Sequence, residues 1–60
     1  MNNKPTEFII CRQSAGKHEY LRHEGHAHFW TTRRDDAMIY TRQDVAQALA
    51  DKYQGIVTVL

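Results

Sequence analysis

Sixty residues make one domain at most, close to the size below which a chain rarely folds without staples, and such a domain buries only about 60% of the surface its unfolded chain exposes. A net charge of +1, from eight basic and seven acidic side chains, excludes an acidic mimic of DNA and lends nothing to a nonspecific polycation. The single cysteine, Cys11, can form no internal disulfide, which fits a reducing compartment and a small buried apolar role. No apolar run nears the roughly 20 residues that span a bilayer, and the N-terminus lacks a signal-peptide core. A cytoplasmic protein of the host cell, away from membranes, is the expectation.

In chain order, residues 1–6 are polar, hold the only proline and lack periodicity, so they read as a flexible lead-in to one domain over 7–60. Glu7–Gln13 is short and rich in β-formers, the pattern of a strand covered on both faces. Ser14-Ala15-Gly16-Lys17 is a turn in which Gly16 can take a positive φ. His18–His23 forms a second strand, Glu24-Gly25 a second reversal, and His26–Thr32 a third strand. Two short reversals in succession predict an antiparallel meander.

Alternate side chains of a strand point to opposite faces. Grouping by apolarity puts Leu21, Ala27 and Phe29 in the core. Tyr20, Arg22, His28 and Trp30 then share the reverse face, rich in the Tyr, Trp and Arg that dominate binding hot spots. A one-residue register shift or a bulge would invert this grouping and bring Trp30 into the core.

Thr32-Arg33-Arg34-Asp35 carries a T-x-x-D cap signature, which predicts a single helical turn through Asp36 and Ala37. Met38-Ile39-Tyr40 is an extended apolar bridge, and Thr41-Arg42-Gln43-Asp44 repeats the signature. It opens a helix over 42–54 with Val45, Leu49 and Tyr53 as its apolar stripe beside Ala46, Ala48 and Ala50. Gly55 is placed to be the left-handed residue past the helix end. Ile56–Leu60 is wholly apolar but for Thr58, and its composition predicts a central position beside Glu7–Gln13. The fold class is therefore α+β: a small antiparallel or mixed β-sheet in the order β-β-β-α-β, with one helix packed on one face. That helix, of about 13 residues, spans roughly 20 Å and covers one side of the sheet only.

Catalytic groups are not in evidence. Asp35 and Asp36 are adjacent, and neighbours in sequence rarely converge on one substrate. No Ser or Cys nucleophile has a traceable His and acid, and no glycine-rich phosphate loop occurs. A domain this thin also has little room for a small-molecule pocket of about 300–1,000 Å³. The expectation is a non-enzyme without a cofactor. His18, His26 and His28 invite a metal reading, yet paired cysteines and an H-E-x-x-H motif are both absent. Arg12, Lys17, Arg22, Arg33, Arg34 and Arg42, with Tyr20 and Trp30 to stack on bases, make nucleic acid the competing partner. The isoelectric point near 8.0 lies below the value of about 9 usual for such domains.

The stretch Tyr20-Leu21-Arg22, Trp30-Thr31-Thr32, Asp36-Ala37, Tyr40-Thr41 and Val45-Ala46 resembles a layout of many small bacteriophage and prophage proteins. There a strand with a Trp-Thr pair leads through an Asp-Ala turn and an aromatic to a capped helix and a final apolar strand. The resemblance covers about residues 18 to 60. It implies a phage setting in which such proteins bind and disable a host or defence complex, anti-CRISPR proteins among them; it carries over no functional residue. The resulting expectation is a binder of a bacterial protein or ribonucleoprotein complex, using Tyr20, Arg22, His28, Trp30, Arg33 and Arg34. A small nucleic-acid-binding regulator is the alternative, and the same open face could instead be a homodimer contact.

Overall fold

The computed structural model describes residues 5–60. Four strands and one helix form it: β1 (Phe8–Ser14), β2 (Lys17–Glu24), β3 (Ala27–Thr31), a 3-10 turn at Arg34–Asp36, α1 (Gln43–Tyr53) and β4 (Ile56–Val59). The sheet is antiparallel throughout, in the order β3-β2-β1-β4. Of the lead-in expected over 1–6, residues 1–4 lie outside the described residues, and Pro5–Glu7 is exposed and irregular.

Both hairpins close through two-residue loops, and their chemistry follows the turn. Ser14 pairs with Lys17, and Ala15 and Gly16 both take positive φ, 52° and 77°. A type I′ loop needs φ > 0 at both central residues, because only then does its twist match the strands. Gly16 adopts that conformation freely, whereas Ala15 does so against the clash of its Cβ. In the second hairpin the loop is Gly25-His26, with Glu24 paired to Ala27 and Gly25 at φ 57°. The reversal thus sits one residue later than Glu24-Gly25.

These hairpins also decide where β4 goes. They lay β3, β2 and β1 side by side, with the far sides of β1 and β3 left free, and β4 takes the one on β1. There β4 pairs, Phe8 to Val59 and Cys11 to Ile56. It lies next to β1 as composition predicts, but at the edge of the sheet and not in its middle. Apolarity overstated its burial: Val57 packs half-buried against the core, whereas Ile56 and Val59 are exposed.

The crossing from β3 to α1 is stitched into the sheet. Met38 N–H donates to the Leu21 carbonyl at 3.0 Å, and Phe8 and Tyr40 exchange two backbone hydrogen bonds of 2.8 Å. The bridge Met38-Ile39-Tyr40 therefore occupies the space that opens between β1 and β2 beyond the Cys11–Tyr20 pair.

α1 packs over β1 and β4 on one side. The core beneath it contains Phe8, Ile10, Leu21, Tyr40, Ala46 and Ala50, with Trp30, Leu49, Tyr53 and Val57 packed against it half-buried. Ala46 and Ala50 are the fully buried residues of the helix, and Val45, expected in the stripe, is exposed. The helix starts at Arg42, not at a Thr41 cap, and no side chain caps it. Instead, Arg42 Nη2 donates to Asp44 Oδ2 at 2.8 Å. That bond, followed by the backbone N–H of Val45, holds the Asp44 carboxyl below its ordinary range. Likewise the 3-10 turn begins at Arg33 without a side-chain cap, and Thr31 Oγ1, not Thr32, accepts the Arg33 N–H.

The helix ends differently from expectation, for a steric reason. Gln54, not Gly55, is left-handed (φ 61°, ψ 43°), and Gly55 N–H donates to the Ala50 carbonyl at 2.8 Å, the outer bond of a Schellman ending. Gly55 serves close packing. A Cβ there would stand 2.6 Å from Ile10 Cγ2 and 2.9 Å from Trp30 Cη2, distances that no side chain tolerates without a shift of its neighbours.

Candidate functional site on the open sheet face

The faces follow from the ladder. Leu21 pairs with Trp30 and His23 with His28, and directly opposed residues of an antiparallel pair share a face. Trp30 and His28 therefore lie with Leu21 on the helix side, whereas Tyr20, Arg22 and Phe29 share the open side. The grouping of Leu21 with Phe29 and Ala27 is corrected: Phe29 is 38% exposed, and Ala27 is exposed beside the turn. A loop of two residues always pairs an odd position with an even one here, wherever it is placed. Leu21 could not have shared a face with Phe29 without a bulge or an odd loop.

On the helix side, Trp30 is held between Gly55 and Arg12, whose guanidinium carbon lies 4.3 Å from the ring centroid. Arg12 Nε donates to Glu19 Oε1 at 2.9 Å, so the cation stacked on the indole is already paired. His28 lies 5.4 Å from His23 and 5.1 Å from Tyr53, ring to ring. These contacts support the edge of the core and put a paired cation on one face of the indole.

On the open side Arg22 is the hub. Its guanidinium lies 5.0 Å from the Phe29 ring centroid and donates to Glu24 Oε1 at 3.0 Å. Asp36 stands 4.0 Å away and also meets Arg33 Nε at 3.5 Å. The 3-10 turn is thereby tied to the sheet through Asp36, which places the exposed Arg33 and Arg34 beside the Arg22–Phe29 stack. Next to them a shallow groove of about 260 Å³ is lined by Ile9, Arg34, Asp35, Ala37, Ile39 and Leu60. Cys11, expected to be a buried apolar residue, is half-buried on this side and shares a hydrogen bond of 3.0 Å with Thr58 Oγ1.

Of the six residues singled out for binding, the fold gathers Tyr20, Arg22, Arg33 and Arg34 on or beside the open face and turns His28 and Trp30 away from it. Phe29, Ile39 and Leu60 join that face instead. The odd–even arithmetic of the turn was the signal for Phe29; the groove-forming pair comes from segments distant in sequence, and no local pattern marks it. The three histidines separate too: His18 alternates onto the open face, His26 sits in the turn and His28 faces the helix side. Among the described residues no three His, Cys, Asp or Glu side chains come together as a metal-binding group.

No helix among the described residues is long and apolar enough to cross a membrane. In comparisons with known proteins, no family model, curated protein or solved structure matches the chain.

Proposed function

We propose that the chain is a protein-binding module that acts by steric occupation of a bacterial protein complex, with the open sheet face as its recognition surface. The observation that carries this reading is the Arg22–Phe29 stack standing uncovered beside the apolar Ile39–Leu60 groove. Arginine stacked on an aromatic, with apolar surface next to it, is the composition of a binding hot spot. The phage-type setting and the inhibition of a defence complex are what the resemblance implies, and they belong to the same proposal.

The charge arrangement favours protein over nucleic acid as the partner. Arg12, Arg22, Arg33 and Arg42 each meet a carboxylate, so the positive charge is locally neutralised and offers no continuous track for phosphates. A nucleic-acid binder would keep those cations free, since its affinity comes from counterion release.

Two variants test the proposal: Phe29→Ala and the double change Arg33→Glu/Arg34→Glu. Both should abolish capture of a specific protein from nuclease-treated bacterial lysate while the circular dichroism spectrum stays that of wild type. In a strain carrying an active defence system, wild type should restore phage plating and both variants should fail. Undiminished capture by both variants would contradict the open face as the site. Capture that disappears on nuclease treatment would transfer the case to a nucleic-acid-binding regulator.

A further inference from the structure

We infer that β4 is the contact strand of a symmetric homodimer, in which a second copy of the chain pairs its own β4 antiparallel about a two-fold axis at Thr58. The inference does not rest on the open-face reading.

The first support is the phase of the hydrogen-bond ladder. Leu60 N–H donates to the Glu7 carbonyl at 2.8 Å, and Val59 is opposite Phe8. Backbone groups alternate in direction along a strand, so residues 56, 58 and 60 bond toward β1, and Val57 and Val59 aim theirs outward. Phe8 confirms that phase, because both its backbone groups are engaged by Tyr40 on the opposite side. The outer edge of β4 thus presents two donors and two acceptors.

The second support is self-complementarity. With the axis at Thr58, Val57 of one copy faces Val59 of the other, and the outward groups match donor to acceptor in both directions. On the open side Ile56 meets Leu60 of the second copy, and Thr58 meets its own equivalent. The most exposed large apolar side chains among the described residues are Ile56 at 68%, Val59 at 61% and Leu60 at 48%. All three lie on this strand or at its end, and each gains an apolar partner in the register the hydrogen bonds demand.

The third support is what the strand lacks. Edge strands are ordinarily blunted by lysine, proline, a bulge or a covering loop. Gly55–Leu60 has no charged residue and no proline, and its register with β1 runs without a bulge. Pairing β4 with its copy would make one sheet of twice four strands, with both Arg22–Phe29 stacks on the same side.

Light scattering after size exclusion at micromolar concentration should give twice the 7.0 kDa chain mass. Val59→Pro removes an N–H that the monomer does not use, at an edge where proline is tolerated. It should keep the fold yet raise the dimer dissociation constant about tenfold or more, since two hydrogen bonds are lost by symmetry. Phe29→Ala should leave the mass unchanged, which separates this contact from the open face. In Cys11→Ser/Thr58→Cys, the two introduced thiols should stand about 4.5 Å apart, Cα to Cα, close enough for a disulfide between copies. Near-complete crosslinking on mild oxidation is the expected result, and it decides the matter even where Val59→Pro disturbs folding. A mass of one chain at every concentration, a dimer indifferent to Val59→Pro, or thiols that fail to crosslink would each overturn the inference.

Discussion

The two faces of this sheet use the same strands for opposite ends. Under α1, Ile10 and Leu21 are fully buried, and Gly55 brings the chain against Ile10 and Trp30 more closely than any side chain would allow. On the reverse, Arg22, Phe29, Glu24 and Asp36 form a polar and aromatic lattice, and the 3-10 turn leads from it to a shallow groove floored by the buried Ile9. A single helix of 11 residues, roughly 16 Å long, can make only one of these faces a core. The difference teaches that a large aromatic in a small domain does not announce which side it serves. Trp30 supports the core from its rim, and the smaller Phe29 is left to the surface.

Deletion on the two faces should show this contrast at its largest. Leu21→Ala is expected to cost about 2–5 kcal/mol, as for other fully buried leucines. Because a domain this small holds only a few kcal/mol in reserve, that variant should be largely unfolded. Phe29→Ala on the open side should cost under about 1 kcal/mol. Urea denaturation of both variants checks the pair, and similar losses would erase the distinction between the faces.

Next in size is Gly55→Ala. The added methyl must displace Ile10 or the indole, an overpacking cost of about 1–3 kcal/mol, and the tryptophan emission should shift as Trp30 moves. An unchanged melting temperature would mean that the helix end is packed more loosely than the 2.6 Å approach requires.

Tyr40 sharpens the comparison from inside the core. Its hydroxyl is buried without a hydrogen-bond partner, so Tyr40→Phe should stabilise the domain by about 1 kcal/mol. Burial first, and the neighbouring Tyr53 second, hold the phenol above its ordinary value of 10.0. The unfolded chain therefore releases this proton at lower pH than the folded one. The contribution of Tyr40 to stability is complete below pH 10.0 and is lost as pH rises through the folded value. Melting curves taken on either side of that point should fall more for wild type than for Tyr40→Phe.

The smallest effect lies in the turn that sets the first hairpin. Ala15 holds a φ of 52°, and Ala15→Asn, which suits a left-handed position ahead of glycine, should add about 0.5–1 kcal/mol. A loss of stability on that change would indicate a different loop type.

Much of this architecture was legible before any coordinates. Periodicity placed α1 to within a residue at each end, and β-formers between glycine turns placed all four strands. What stayed hidden depended on residues far apart in the chain. The left-handed helix end fell to Gln54 because Gly55 was required against Ile10 and Trp30, which no local rule can see. β4 became an edge because two tight hairpins had already ordered the other strands. The Ile39–Leu60 groove exists only once the crossing segment and β4 are laid on either side of β1. Alternation places Tyr20 and Arg22 together on the side away from the helix, as the ladder has them, and Arg33 and Arg34 stand beside that side. Apolarity groups Leu21 with Phe29 and so sends Trp30 and His28 to the open face, whereas the parity of a two-residue loop puts both with Leu21.

The pairing of β2 with β3 decides which side chains are offered to a partner, and proton NMR reads it directly. Leu21–Trp30 and His23–His28 are the closely spaced pairs of that ladder. Strong Hα–Hα cross-peaks are predicted between them, together with contacts from the indole to the Ile10 methyl groups and Gly55. A cross-peak joining Leu21 to Phe29, with the indole free of Ile10, would contradict the account.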